Sequence, residues 1–223
     1  MRIAAFETSG EWCSVAVSLD GEVRGREQRA GTRHSELALP MLQALLAEAG
    51  LKASQLDAVA FGAGPGSFTG LRIACGLAQG LALVRDLPVL GVSSFEAIAE
   101  EAQAPRVAAC IDARMREVYH AALEKTAGGR WVEVVAARCV PPQDVPVPPG
   151  HGWVGCGTGF AAYPGLLEGT LIATMPEVHP TALSVAALAA PRLAAGEGVD
   201  ASLALPVYLR DKVAFTQKEL AAR

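Results

Sequence analysis

The stretch Phe-Gly-Ala-Gly-Pro-Gly-Ser-Phe-Thr-Gly-Leu-Arg-Ile at 61–73 constrains this chain more than any other. Gly62, Gly64, Gly66 and Pro65 lie between the apolar run 56–61 and a long apolar segment that begins near Gly70. The run reads as a short buried strand and the segment as a helix, with Ser67 or Thr69 placed to cap its first turn. Strand, glycine-rich turn and helix N-terminus in that order can aim free N–H groups at an anion. The same glycines equally suit a tight turn that needs positive φ angles. Neither the Gly-Lys-[Ser/Thr] of a Walker loop nor the Gly-x-Gly-x-x-Gly spacing of a dinucleotide loop is present.

The pattern around this loop is that of an α/β layered fold. Residues 2–9, 13–20 and 22–29 read as strands, and Asp20-Gly21 joins the last two as a hairpin signal. A helix over 34–49 ends at Gly50, followed by a strand at 57–62, a helix at 69–84, a strand at 88–92 and a helix at 93–102. The pattern then restarts. Residues 106–112 and 116–124 form a second hairpin, and Gly128-Gly129 leads into a third strand at 131–137. A proline-rich connection spans 141–149, a strand 152–156, a short helix 159–167, and a last helix 180–194 is ended or kinked by Pro191. Two halves that open alike suggest an internal duplication. The expected boundaries are 1–103 and 104–202, with 203–223 packing back on the first half.

About half of the 223 residues are apolar, enough for a real core. The longest stretch without Asp, Glu, Lys or Arg, 145–167, is broken by prolines and glycines and is no spanning helix. A charge inside the first apolar run argues against a signal peptide, so a cytoplasmic protein is expected. Cys13, Cys75, Cys110, Cys139 and Cys156 include no Cys-x-x-Cys pair, and His34, His120, His151 and His179 are far apart, so no metal site is expected. No Gly-x-Ser-x-Gly elbow is present and Ser67 has no base near it in sequence. A net charge of −4 argues against a large nucleic-acid footprint. The local run Arg24, Arg26, Arg29, Arg33 reads as a solvated strand edge.

Two helices carry more apolar surface than one sheet can use. On the first, Glu36, Pro40, Gln43 and Ala47 share a face with Leu39 and Leu46 at its edge, while Leu37, Met41, Leu42 and Leu45 face a core. On the second, Arg72, Gly76, Gln79, Gly80 and Leu83 share a face. Small residues four apart admit a close helix, and the two polar groups mark a face that meets water in the free chain. That combination points to a protein interface, although burial within its own domain would also account for the glycines.

Four segments, in order along nearly the whole chain, carry a family resemblance. They are Arg2-Ile3-Ala4-Ala5-Phe6-Glu7-Thr8, Gly64-Pro65-Gly66-Ser67-Phe68-Thr69-Gly70-Leu71-Arg72, Ile111-Asp112-Ala113-Arg114-Met115-Arg116-Glu117-Val118-Tyr119 and Pro206-Val207-Tyr208-Leu209-Arg210. Together they resemble the TsaB, or YeaZ, family of bacterial tRNA threonylcarbamoyladenosine biosynthesis proteins. The resemblance implies an actin/Hsp70-like (ASKHA, ribonuclease H-like) fold of two subdomains with mixed sheets flanked by helices. In that superfamily a carboxylate after each opening strand handles phosphate, which places Glu7 and Asp112 as candidate nucleotide-binding residues. Here Glu stands where relatives carry Asp, and Thr8 and Ser9 crowd the hairpin, so both acids also suit a local structural role. Gly155-Cys156-Gly157-Thr158-Gly159 could border an adenosine pocket or be a plain strand-to-helix turn.

The resemblance further implies a non-catalytic scaffold that activates the catalytic subunit TsaD, with an ATPase subunit, TsaE, joining the complex. Relatives pair through two such helices, with themselves or with TsaD, which makes Glu36, Leu39, Pro40, Gln43, Ala47, Arg72, Gly76, Gln79, Gly80 and Leu83 the candidate partner-binding residues. The histidine pair that holds TsaD's metal has no counterpart beyond His34. No catalytic residue, no metal and no resident cofactor are expected, with ATP or ADP binding weakly at the complex interface and tRNA bound mainly through the complex. A small ATP-dependent phosphotransferase using Glu7 and Asp112 is the alternative. A peptidase-like hydrolase is a third reading, without a nucleophile–base pair to support it.

Overall fold

The computed structural model describes residues 1–210. Two five-stranded sheets of the same topology account for most of it. The first contains β1 (Arg2–Glu7), β2 (Trp12–Leu19), β3 (Glu22–Arg29), β4 (Ala58–Gly64) and β5 (Val89–Ser93), in the order β3-β2-β1-β4-β5. The second contains β6 (Arg106–Asp112), β7 (Val118–Lys125), β8 (Trp131–Val140), β9 (Trp153–Cys156) and β10 (Leu171–Met175), in the matching order β8-β7-β6-β9-β10. In each, three strands meander antiparallel and the last two add in parallel.

The helices interleave the sheets. α1 (His34–Glu48) and α2 (Phe68–Leu83) lie on one face of the first sheet, against Ala4, Phe6, Val15, Val59 and Phe61. α5 (Ala182–Ala194) covers the opposite face, against Ile3, Ala5, Ala58 and Ala60, and α3 (Ser94–Ala102) covers the second sheet. β1 and β4 are buried on both faces, which is why their sequences run apolar without alternation. β3 is the exposed edge and carries charge instead, a composition that discourages pairing with another chain. The Asp20-Gly21 loop has φ of 49° and 97°, as a two-residue hairpin turn of the right twist requires.

The second half is the plainer copy. Where α1 sits in the first half, the second has only the connection 141–149 with a single turn at Pro142–Asp144. Where α2 sits, it has the four-residue α4 (Gly159–Ala162), shorter than the expected 159–167 because Pro164 and Gly165 (φ 89°) stop it. Strand β10 was not expected at all. Pro191 does not end α5, which runs on to Ala194. Leu46, placed at the edge of the outward face of α1, is instead buried at 5% exposure. Of the C-terminal segment 203–223, residues 211–223 lie outside those described. The described part runs as a strap over the first half: Val207 donates to the carbonyl of Ala63 at 2.7 Å, and the carbonyl of Ala204 accepts from Gln79 at 3.0 Å. It then crosses to the second half, where Arg210 is held.

Candidate functional site

The glycine loop is built to receive a hairpin. A Cβ on Gly62 would stand 1.7 Å from Oε2 of Glu7, one on Gly66 2.6 Å from Ser9, and one on Gly70 1.9 Å from the carbonyl oxygen of Thr8. Ser67 donates its N–H to the carbonyl of Ser9 at 2.7 Å, and its hydroxyl caps α2 by accepting from Gly70 at 3.3 Å. Thr8 in turn donates its hydroxyl to the carbonyl of Gly70 at 2.7 Å. Gly62, Gly66 and Gly70 therefore serve close approach to the β1–β2 hairpin, and of the positive φ angles expected of a tight turn only Gly64 has one, at 111°. Thr8 and Ser9, at 0% and 5% exposure, fill the space between hairpin and helix.

Both candidate carboxylates turn onto their own chain. Glu7 is 1% exposed; one oxygen accepts the N–H of Ser9 at 2.5 Å and the other, pressed on Gly62, has no hydrogen-bond partner among the described residues. Burial pushes its carboxyl up to about 7 against the pull of those Ser9 bonds. Asp112 accepts from the backbone N–H of Arg114 at 2.9 Å and from its guanidinium at 3.0 Å. In the second glycine turn, a Cβ on Gly157 or Gly159 would stand 2.4 or 2.8 Å from Cys110. The residues that a nucleotide-binding relative would turn toward phosphate and adenosine are thus packed on one another, and they do not form an open cradle for that group. Beyond the loop, a cleft of about 320 Å³ is bounded by Pro65, Phe95, Glu96, Glu133, Arg192 and Leu209. Its Arg192 is matched by Glu96 at 3.5 Å and Glu197 at 2.9 Å.

The outward helix faces present a different surface. Glu36, Leu39, Pro40, Gln43 and Ala47 of α1 are all exposed, as are Arg72, Gly76, Gly80 and Leu83 of α2, with Gln79 half-buried. Among the described residues, a Cβ at Gly76 or Gly80 would meet nothing within 4 Å. These glycines therefore do not pack on their own sheet; they lie bare on the surface. Leu39 and Leu83 are 44% and 62% exposed, and Val84, Leu203 and Leu205 of the adjoining chain add more apolar surface. Arg72 and Gln79 are less free than their spacing implied. Arg72 donates to the Tyr208 hydroxyl at 3.1 Å and lies 3.8 Å above the Phe68 ring, and Gln79 holds Ala204, so both first serve the strap. Those contacts are invisible in sequence, because they join positions 125 or more residues apart.

One pair of side chains imitates a nucleophile and its base. Sγ of Cys110 lies 3.2 Å from Nδ1 of His120, which also faces the carbonyl of Ala109 at 3.1 Å. Both residues are 0% exposed. Burial drives the thiol far up and the imidazole down to about 4, so the pair stays neutral and inert. Among the described residues no group of three or more His, Cys, Asp or Glu could hold a metal ion, and no helix is long and apolar enough to cross a membrane. The basic run on β3 is largely matched: Arg24 pairs with Glu22, Arg26 with Glu48 and Arg29 with Glu11.

Comparison with known proteins places this arrangement. A family model described as TsaD: tRNA N6-adenosine threonylcarbamoyltransferase matches residues 28–145. The tRNA threonylcarbamoyladenosine biosynthesis protein TsaB of Escherichia coli K12 is 40% identical over 225 residues, covering 96% of this chain and 97% of its own. The TsaB protein of Haemophilus influenzae is 38% identical over 235 residues, covering 100% of this chain and 98% of its own. The solved structure of YeaZ from Pseudomonas aeruginosa, 41% identical, superposes with a TM-score of 0.88 over 93% of this chain and 99% of its own. With full-length identity at this level and the doubled α/β fold of the solved relative, the chain belongs to the TsaB (YeaZ) family of tRNA threonylcarbamoyladenosine biosynthesis proteins.

Proposed function

We propose that this chain is a non-catalytic, cytoplasmic subunit that pairs through the outer faces of α1 and α2 with a TsaD-type threonylcarbamoyltransferase and holds it in its active conformation. A partner that binds one conformation better shifts the population toward it, so no chemistry of its own is required. A TsaE-type ATPase joins the complex, the chain pairs with itself when alone, and tRNA is bound mainly through the assembled complex. No resident cofactor belongs to the chain, and ATP or ADP is held only weakly at the interface. The observation that carries this reading is the open surface at Gly76 and Gly80 among the described residues, flanked by exposed Leu83, on a helix that shares its sheet face with α1 and its exposed Leu39 and Ala47. Over the phosphotransferase alternative, it is favoured by the burial of Glu7 and the packed hairpin beside it.

Gly76→Leu tests it. The added side chain enters open space in the free chain, and replacing a mid-helix glycine gains roughly 0.8 kcal/mol of helix propensity. The variant is therefore expected to melt slightly above the parent, yet to lose both self-association and TsaD pairing in light scattering after gel filtration. A stable variant that still pairs normally with TsaD would put the partner surface elsewhere.

A further inference from the structure

The β6–β7 turn holds a costly shape. Arg114, Met115 and Arg116 have φ of 59°, 55° and 62°, three successive non-glycine residues in the left-handed region. Non-glycine residues are disfavoured there, and runs of them persist only where the surroundings enforce them. The enforcement comes from the strap. Arg210 donates to the carbonyls of Ala113 at 2.9 Å and Arg114 at 3.3 Å, and pairs with Glu117. Its guanidinium also lies 3.5 Å from Sδ of Met115 and 5.8 Å from the Tyr119 ring centroid.

What the turn presents is cationic. Arg114 has 77% of its side chain exposed, and Met115 and Arg116 are exposed too. Beside it, along a shallow hollow walled by Tyr119 and Arg210, stand Phe68 and Tyr208. Their rings pack 5.4 Å apart, 37% and 42% exposed, with Arg72 over Phe68. Asp112 offsets Arg114 and Glu117 offsets Arg210, leaving Arg72 and Arg116 without an acidic partner among the described residues. In a chain of net charge −4 whose other arginine run is largely matched, this concentration is local. Three of the four sequence signatures converge on it.

We propose that this surface binds RNA, its arginines taking backbone phosphates and the Phe68–Tyr208 pair stacking an unpaired base. The inference rests on the tRNA-modification reading above for the identity of the RNA. Exposed aromatic rings beside guanidiniums that have no acidic partner among the described residues are the chemistry of a single-strand platform. A protein surface of matching acidity is the competing occupant.

The test titrates a fluorescently labelled tRNA transcript with the full chain, following anisotropy from low to physiological salt. Two or three phosphate contacts give a log–log salt slope of about −2. Arg116→Glu is expected to weaken binding about tenfold and to flatten the slope by about one. Tyr208→Ala is expected to weaken it at least about fivefold with the slope unchanged. Gly76→Leu is expected to bind tRNA as the parent does while losing TsaD, so a failure of either assignment shows by itself. Equal affinity and slope for the parent and Arg116→Glu would overturn the proposal. So would a parent chain that pairs with TsaD but gives no anisotropy change at low salt. Loss of TsaD pairing by Arg116→Glu with tRNA binding intact would make the surface a protein contact and overturn it as well.

Discussion

Glu7→Gln separates a buried acid from a working one. Glu7 is 1% exposed, no cation among the described residues pairs with it, and burial raises its carboxyl from 4.5 to about 7. Below the lower value both folded and unfolded chains hold the proton. Between the two values the unfolded chain has lost it and the folded chain keeps it, so stability falls as pH rises and levels off above about 7. Integrating the linkage relation between pH 5 and pH 8 gives a loss of about 2.5 kcal/mol from this group alone. For a chain of this size that is roughly 5–10 °C in melting temperature. Glutamine keeps the oxygen that accepts from Ser9 and cannot ionise, so its variant lacks this component. The assay is paired thermal melts of parent and variant across pH. Every other titrating group contributes alike to both and cancels in the difference. The variant is expected to gain on the parent steadily from pH 5 to about pH 7. Parallel curves would refute the argument, since a Glu7 carboxylate open to water or to a cation would show no such divergence.

Three further outcomes follow from the same packing. Arg210→Ala is expected to cost about 2 kcal/mol by chemical denaturation, because it strips charged hydrogen bonds from Glu117 and leaves two carbonyls of a left-handed turn unmet. Arg210→Lys should recover less than half of that, since an ammonium cannot span the three acceptors. Gly70→Ala is expected to cost about 3 kcal/mol or to prevent folding, its methyl standing 1.9 Å from the backbone oxygen of Thr8, whereas a tolerated alanine would mean the hairpin and α2 are not in contact. Calorimetry of the lone chain with ATP or ADP is expected to show no micromolar binding. Tight binding abolished by Asp112→Ala would restore the phosphotransferase alternative.

Legibility in the sequence followed burial symmetry. β1 and β4 announced themselves because both faces are covered, and Asp20-Gly21 fixed the hairpin beside them. β10 escaped because Ile172, Ala173 and Thr174 are exposed, so no apolar period marks it, and it pairs only with the neighbouring β9. The glycine loop was easy to locate and harder to interpret, because a glycine that admits a phosphate and one that admits a hairpin carry the same letter. The exposure of the outer helix faces was readable from spacing, since helical geometry is local, except at Leu46, which turns inward. The part played by Arg72 and Gln79 was not, because their partners Tyr208 and Ala204 arrive from the far end of the chain. The Arg210 clasp was hidden for the same reason, its acceptors lying 93 to 97 residues away.

The unequal halves bear on how far assembly can proceed. Had the second half kept long helices in the places of α1 and α2, each molecule would carry two adhesive faces related by its own pseudo-symmetry, and head-to-tail addition could continue without end. A proline-rich connection and a four-residue helix stand there instead, so the described residues hold one such pair of long helices. If the proposed pairing runs through that one face, a molecule terminates its own polymer at two, because a single contact, with a copy of itself or with a different subunit, uses up the face.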